Sequence, residues 1–371
     1  MKKIALLLAL VFLRSGAQTV ETDISACSGM LSIFEQMRSN TSKAIIEQQL
    51  DSILLTRPYE IMFQHYNRDW RPNHLPKHTF KKMILSLKFP NTYDIGTNER
   101  ADAMLPFWKN AFSNIKRFRK NIQALENTNL SKAIQLGVLD AQKWLPESMS
   151  IPDFYFFVHP NGGSSAFAIK GKQGYDFFKL PKHSHGTINI QELVDIIAHE
   201  SHHLGLKIAY PKLKTAKDSL AYEFLQVFVA EGTASKFVDN LPGGCIAKVS
   251  EGRSKNYGKA TQEIWSEYTL QEKQIFNAFE QDFQRIYDGT YTEEDIQQRI
   301  RTYWLSGIKG RAYFLGSELY GAVFKAFGKE ELFNVMEHPK LLLKKYNEAI
   351  FKLRESLTNE IYLSNWLTLV F

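Results

Sequence analysis

Apolar residues recur at intervals of three or four along two long stretches of the chain, which predicts that most of it is helical. The first stretch runs from about residue 28 to 146 and the second from about residue 255 to the end. Segments rich in proline, asparagine and glycine interrupt the first stretch, among them RDWRPNHLPKH and KFPNTYDIGTN, and such segments favour loops. The pattern therefore predicts two helical regions, one before and one after the middle of the chain.

The pattern changes between residues 151 and 180. The segments IPDFYFFVHP, SSAFAIKG and YDFFKL are short and rich in aromatic residues, and Gly162-Gly163 supplies a turn, as expected for β-strands. Helices on both sides of one small sheet predict an α+β fold that is mostly α. We expect four segments: a leader, a helical region, a core that contains the strands, and a second helical region, at 1–17, 18–150, 151–245 and 246–371.

Two further helices follow the predicted strands. The first is expected to begin near Asn189, because Asn189 with Glu192 three residues later resembles a capping box, and to end at Gly205. The second is expected to run from about Asp218 to Asn240, before the sequence LPGG.

The first of these helices carries the motif HESHH. His199 and His203 are four residues apart, so a helix places both imidazoles on one face, where they can bind one cation. Glu200, next to the first histidine, can act on a water at that cation, as in the HExxH motif of zinc hydrolases. Chance would produce the motif roughly 0.02 times in a chain of this composition. His202 lies outside the ligand register and is expected to support the site or to lie on the surface.

The second helix offers a third ligand. Glu231 falls in the middle of its apolar stripe, and a lone buried carboxylate is costly unless it is paired or coordinates a metal. A zinc ion held by His199 and His203 would supply the cation, while a buried salt bridge with a lysine or arginine is the alternative. The stripe consists of Leu220, Phe224, Val227, Ala234 and Val238.

The motif HESHH, followed 27 residues after its last histidine by AEGTAS, resembles the gluzincin zinc metallopeptidases, and more closely the uncharacterised bacterial families of zinc-dependent peptidases with an HExHH helix and a Glu-Gly-x-Ala helix. The resemblance implies a zincin-like catalytic core in which His199, His203 and Glu231 bind one zinc ion and Glu200 is the general base. Many gluzincins have an aspartate where this chain has Ser235, so Asp195 is a candidate for orienting a histidine.

Peptide hydrolysis also requires a donor to the developing oxyanion. The segment GRAYFLGSELYG offers Tyr313 and Tyr320, and a similar Tyr-x-x-Gly in the related peptidases favours Tyr313, although an aromatic residue packed in a helical core is the alternative. The resemblance to gluzincins also implies that the strand FYFFVHP is an edge strand that pairs with extended substrate, with His159 near it. His183 and His185 are interpreted as part of a polar loop rather than a second metal site.

The N-terminus predicts export. MKKIALLLALVFLRSGAQTVE has two lysines, an apolar run from Ile4 to Leu13 and small residues before a cleavage site after Ala17. The apolar run is too short to span a bilayer, so we expect no stable membrane insertion after cleavage and a periplasmic or secreted protein. Lipoprotein anchoring at Cys27 is not expected, because charged residues separate it from the apolar run.

Charge and cysteine content exclude two classes of protein. Removal of the leader takes away three cations and no acid, so the formal net charge falls from +7 to +4. The densest basic segment, KNAFSNIKRFRKN, places its apolar residues on one helical stripe, which indicates a solvated helix face rather than a nucleic-acid site. Cys27 and Cys245 are too few for a disulfide scaffold; they either pair with each other or remain buried thiols.

The leading hypothesis is an exported zinc metallopeptidase that acts on a peptide or protein substrate. Two alternatives stay open: a zinc amide hydrolase that acts on cell-wall or other non-protein substrates, and a non-catalytic helical binding protein with a vestigial motif. The sequence leaves the cleavage preference and the oligomeric state open.

Overall fold

The computed structural model describes residues 20–68, 73–206, 215–241, 259–307, 309–357 and 360–370. These residues contain a four-stranded sheet and sixteen α-helices, so the predicted α+β class with mostly helical content is confirmed. The strands are β1 (Val20–Asp23), β2 (Phe154–His159), β3 (Ala166–Ala168) and β4 (Lys172–Asp176). The helices are α1 (Ser25–Arg38), α2 (Lys43–Ile53), α3 (Arg57–Tyr66), α4 (Lys77–Ser86), α5 (Glu99–Ser113), α6 (Ile115–Glu126), α7 (Leu130–Gln142), α8 (Ile190–Gly205), α9 (Ala216–Thr233), α10 (Lys259–Leu270), α11 (Glu272–Asp288), α12 (Glu293–Arg299), α13 (Arg311–Phe327), α14 (Lys329–Glu337), α15 (Leu342–Leu353) and α16 (Asn365–Val370).

The chain divides into two compact units. The first unit comprises residues 1–133 and 152–193, and the second comprises residues 134–151 and 194–371. The four segments expected from the sequence remain a prediction. Neither the leader at 1–17 nor Cys245 belongs to the described residues.

The sheet lies in the first unit, in the order β1-β2-β4-β3. β2 runs parallel to both β1 and β4, while β3 pairs with β4 in the antiparallel direction. Every residue of β2 is buried, as expected for a central strand covered on both faces, and the ring of Phe156 stacks on Tyr175 at 4.6 Å. Cys27 is buried beside this strand, with its Sγ 3.5 Å from the carbonyl oxygen of Val158.

The sequence pattern did not predict β1, which is only four residues long and has two exposed positions. Contacts between side chains hold it at the edge of the sheet: Tyr155 donates to Asp23 over 2.6 Å, and Arg57 lies 2.7 Å from Glu21. A strand of this length is too short to show a clear alternation of apolar and polar residues.

In the second unit, α9 and α13 cross at two glycines. A Cβ on Gly232 would lie 2.3 Å from the backbone carbon of Gly316, and a Cβ on Gly316 would lie 2.3 Å from the carbonyl oxygen of Phe228. These distances are far shorter than van der Waals contact, so the crossing requires glycine at both positions. The crossing brings the C-terminal end of α9 against the N-terminal half of α13.

The two helices that carry the motif residues have defined ends. The N–H of Glu192 donates to the side chain of Asn189 over 3.4 Å, and α8 ends at Gly205, as predicted. Thr215 and Asp218 form a capping box at the start of α9. The helix predicted to continue to about Asn240 changes after Thr233 into a π-helical turn at Ala234–Val238.

None of the helices in the described part of the chain is long and apolar enough to cross a membrane.

Candidate metal centre

Three side chains of the second unit converge on one point. His199 and His203 come from one face of α8, and Glu231 comes from the last turn of α9. The Nε2 atoms of the two histidines are 3.1 Å apart, and Oε2 of Glu231 lies 3.6 Å from His199 Nε2 and 3.5 Å from His203 Nε2. Among the described residues, no other group of three or more histidine, cysteine, aspartate or glutamate side chains lies close enough together to hold a metal ion.

The spacing of these three atoms fits a tetrahedral zinc ion. Bonds of about 2.0–2.2 Å from zinc to nitrogen and oxygen place two tetrahedral ligand atoms about 3.3–3.5 Å apart, close to all three measured separations. Oε2 of Glu231 is buried and makes no hydrogen bond within the described part of the protein. A buried carboxylate oxygen without a hydrogen bond is costly, and a cation between the three atoms removes that cost. The residues present therefore fit a zinc ion.

The electrostatics of the group also favour a positive charge. Burial alone would raise the pKa of Glu231, but the two histidines outweigh it and hold that pKa well below its usual range. Burial alone would lower the pKa of His199, but the nearby carboxylate of Asp239 outweighs it and raises the pKa to about 9. No lysine or arginine among the described residues forms an ion pair with Glu231, so the alternative of a buried salt bridge is not found there.

A fourth residue, Asp239, orients the first histidine. Its Oδ2 accepts a hydrogen bond from Nδ1 of His199 over 2.9 Å, so Nε2 is the nitrogen that can give up its proton to a metal, and it faces His203 and Glu231. The sequence suggested Asp195 for orienting a histidine; the contact with Nδ1 of His199 is made by Asp239, and a role for Asp195 stays a prediction. Ser235, at the position of the usual gluzincin aspartate, is fully buried.

The π-helical turn explains why Asp239 takes this place. In a straight α-helix, a residue eight positions after Glu231 would be rotated about 80° away from it. The π turn at Ala234–Val238 contains more residues per turn than an α-helix and reduces this offset. The spacing Glu-x₇-Asp was the available sequence signal, but it becomes informative only when the change of helix type is known.

Lys309 and Tyr313 complete the surroundings of His199. The Nζ atom of Lys309 lies 3.5 Å from Oδ2 of Asp239 and 4.7 Å from the centre of the Tyr313 ring. The Tyr313 ring lies roughly parallel to the imidazole of His199, with a centroid distance of 6.5 Å. Burial, followed by the carboxylates of Glu231 and Glu200, raises the pKa of Tyr313 well above its ordinary value, so its hydroxyl stays protonated and can donate. Lys309 carried no signal in the sequence.

Glu200 lies beside the three ligands and is almost fully buried. Burial is the largest influence on its carboxyl group and raises the pKa, although the charges of His203 and His199 act in the opposite direction. A carboxylate of raised pKa accepts a proton more readily than an ordinary glutamate, which is the property that a general base needs.

The other histidines singled out in the sequence lie elsewhere. His202 is fully buried, and its Nε2 lies 3.3 Å from the carbonyl oxygen of Trp144, so it is not a surface residue. His159 ends β2, which is a central strand of the sheet, so the expected edge strand is wrong; the ring of His159 is buried in the first unit and packs against Tyr59. His183 and His185 are exposed and stacked at 5.2 Å.

The profile of a protein family matches most of the chain. The family described as "Putative zinc dependent peptidase (DUF5700)" matches residues 50–355, which include every residue of the site described above. No curated protein and no solved structure matches the chain. The zinc dependence in the family description agrees with a His–His–Glu group that is positioned to hold one metal ion.

Proposed function

This chain belongs to the family described as "Putative zinc dependent peptidase (DUF5700)", and from that premise we propose that it is an exported metallopeptidase of the gluzincin type. His199, His203 and Glu231 bind one zinc ion, and Glu200 is the general base. The observation that carries this proposal is the spacing of the three ligand atoms, 3.1, 3.5 and 3.6 Å apart, with the buried carboxyl group of Glu200 beside them.

Zinc in such a site supplies a Lewis acid that polarises a carbonyl group and lowers the pKa of water to about 7. Glu200 takes a proton from the attacking water and delivers it to the amine that leaves when the peptide bond breaks. Burial of Glu200 favours both transfers, because its raised pKa lies closer to neutrality than that of an exposed carboxylate.

Two neighbouring residues support the proposed reaction, one by orienting a ligand and the other by donating a hydrogen bond. Asp239 fixes the ring of His199 through the Nδ1 hydrogen bond, so that Nε2 faces the ligand position. Tyr313 keeps its hydroxyl proton and lies against His199, close to Glu231. We assign it as the donor to the oxyanion that develops on the peptide carbonyl.

The first test measures zinc and hydrolysis separately. The purified protein should contain one zinc ion per chain and cleave members of a diverse peptide library, with the products identified by mass spectrometry. Glu200→Gln should retain its zinc and its melting temperature while cleavage falls by about 10² or more, because only the proton transfer is removed. Glu192→Gln on the same helix is the matched control and should cleave like the parent.

The outcomes separate the proposal from its alternatives. A protein that binds zinc but cleaves no peptide, and instead hydrolyses amide bonds of cell-wall fragments, would be a different zinc hydrolase. A protein without stoichiometric zinc after purification in zinc-containing buffer would be the non-catalytic binding protein. Glu200→Gln with full activity would show that another group is the base.

A further inference from the structure

Two adjoining cavities in the first unit lie among residues that the metal centre does not use. Their volumes are about 410 and 470 Å³, and they share Arg117, Asn121 and Lys182, so they form one continuous groove. One side of the groove is α6 with the end of α5, and the other is the segment 177–187 that follows β4. We call it the basic groove.

The cations that line the basic groove form no ion pair with any acid of the described residues. Arg117, Lys120 and Lys182 line it, and no aspartate or glutamate of the described residues does so. On the same helix, Arg119 forms an ion pair with Glu35, whereas Arg117 and Lys120 form none with any described residue. On helix α6, Arg119 is therefore paired with an acid, whereas Arg117 and Lys120 face the groove without an ion pair.

Lys182 makes its hydrogen bonds with backbone oxygens and forms no ion pair with a described acid. Its ammonium group is partly buried, donates to the backbone oxygens of Phe177 at 3.3 Å and Leu180 at 3.4 Å, and lies 5.3 Å from the centre of the Phe177 ring. Burial is the largest influence on its pKa and lowers it; the carboxylate of Asp176 acts in the opposite direction, and the charge of Arg117 adds a smaller lowering effect. Two cations that repel each other beside a cavity are stabilised when an anion enters it.

The floor of the groove is apolar. The rings of Phe107 and Phe178 stack at 6.2 Å, and Phe107 keeps 36% of its surface exposed. The amide of Asn121 offers a hydrogen-bond donor and an acceptor where the two cavities meet. A ligand that combines carboxylates, an apolar side chain and backbone amides matches these three features.

We propose that the basic groove binds an acidic segment of a peptide or protein, with carboxylates against Arg117, Lys120 and Lys182 and an apolar side chain over Phe107. The choice of a peptide rests on the proposed function. A nucleic acid fits less well, because Phe107 is the most exposed ring of the floor, whereas Phe118 and Phe177 are only 3% and 1% exposed, and a strand needs a ring face for each of several successive bases.

The test measures binding without turnover, in full-length Glu200→Gln protein loaded with zinc. The probe is a peptide with blocked ends that contains four glutamates around one phenylalanine, titrated by calorimetry beside the same peptide with glutamine in place of glutamate. The glutamate peptide should bind about tenfold more tightly, and added salt should reduce the difference.

Substitutions locate the binding. Arg117→Gln and Lys182→Met should each weaken binding of the glutamate peptide by about threefold to tenfold. Lys116→Gln is the matched control, because Lys116 is an exposed lysine of the same helix that does not line the groove, and it should bind like the parent. Arg117 is exposed, so its substitution remains informative if Lys182→Met fails to fold.

Several results would overturn the proposal: equal binding of the two peptides, equal losses in Lys116→Gln and Arg117→Gln, or binding of a sulfated polysaccharide fragment without binding of the glutamate peptide. The test measures peptide binding and no cleavage. A failure of the proposed groove binding therefore gives a different result from a failure of the proposed hydrolysis.

Discussion

At the scale of single residues, Asp239 fixes the orientation of the His199 ring, so that Nε2 faces the proposed metal position. The hydrogen bond to Nδ1 selects the tautomer with a free lone pair on Nε2, and the negative charge makes that nitrogen a better ligand. Lys309 lies 3.5 Å from the same carboxylate oxygen and places a positive charge beside it. Asp239 contacts His199 directly and Lys309 contacts Asp239, as outer residues commonly do around the histidine ligands of metal sites.

We therefore predict that Asp239→Asn lowers zinc affinity by about 10–100-fold, because asparagine keeps the shape of the side chain and removes its charge. Affinity is measured by competition with a chelator, and circular dichroism checks the fold. Asp195→Asn is the control, since Asp195 was the candidate from sequence and lies one turn before His199. An equal loss in Asp195→Asn would mean that Asp239 has no special role.

The proposed ligand pair His199 and His203 could be predicted from the motif alone, because a spacing of four residues on a helix fixes which side chains share a face. Glu231 followed from its place in an apolar stripe. Asp239 and Lys309 could not be assigned, since they reach the site through a π-helical turn and through a separate part of the chain.

At the scale of elements, the crossing of α9 and α13 sets the position of Tyr313 relative to Glu231. The two glycines let the backbones approach more closely than any side chain would permit. Ser317, one turn after Tyr313, donates to the carbonyl oxygen of Tyr313 over 2.6 Å, and its Oγ lies 3.4 Å from the carbonyl oxygen of Gly232 at the crossing. The glycines of AEGTAS and FLGSE thus have a packing role beside the catalytic motif.

We predict that Gly316→Ala destabilises the protein. Alanine in a helix is favoured over glycine by about 1 kcal/mol, but overpacking costs about 1–3 kcal/mol, and here the new Cβ meets backbone atoms at 2.3 and 2.7 Å. The free energy of unfolding, measured in urea, should fall, and zinc affinity should fall with it as α9 moves.

Gly29→Ala is the comparison for this variant. Its Cβ would meet only the flexible end of Ile53, at 3.2 Å, so stability should stay close to that of the parent or rise. A Gly316→Ala protein as stable as Gly29→Ala would mean that the two helices separate at little cost.

At the scale of the whole molecule, the proposed export depends on the N-terminal segment. We predict that cells release a chain that begins at Gln18, because a charged start, a short apolar run and small residues precede that position. Intact-mass analysis of the exported protein gives the answer. A lipid on Cys27, or retention of residues 1–17, would contradict it.

The sequence by itself determined the helical class, the small sheet between residues 151 and 180, and the two imidazoles and one carboxylate of the metal group. These features depend on local periodicity and on the cost of burying a charge, which a single segment reveals. Only the tertiary structure decided that β1 completes the sheet, that Asp239 and Lys309 stand behind His199, and that Arg117 and Lys182 face the same cavity. Such pairings join residues far apart in the chain, and no local pattern fixes which distant side chains pack together.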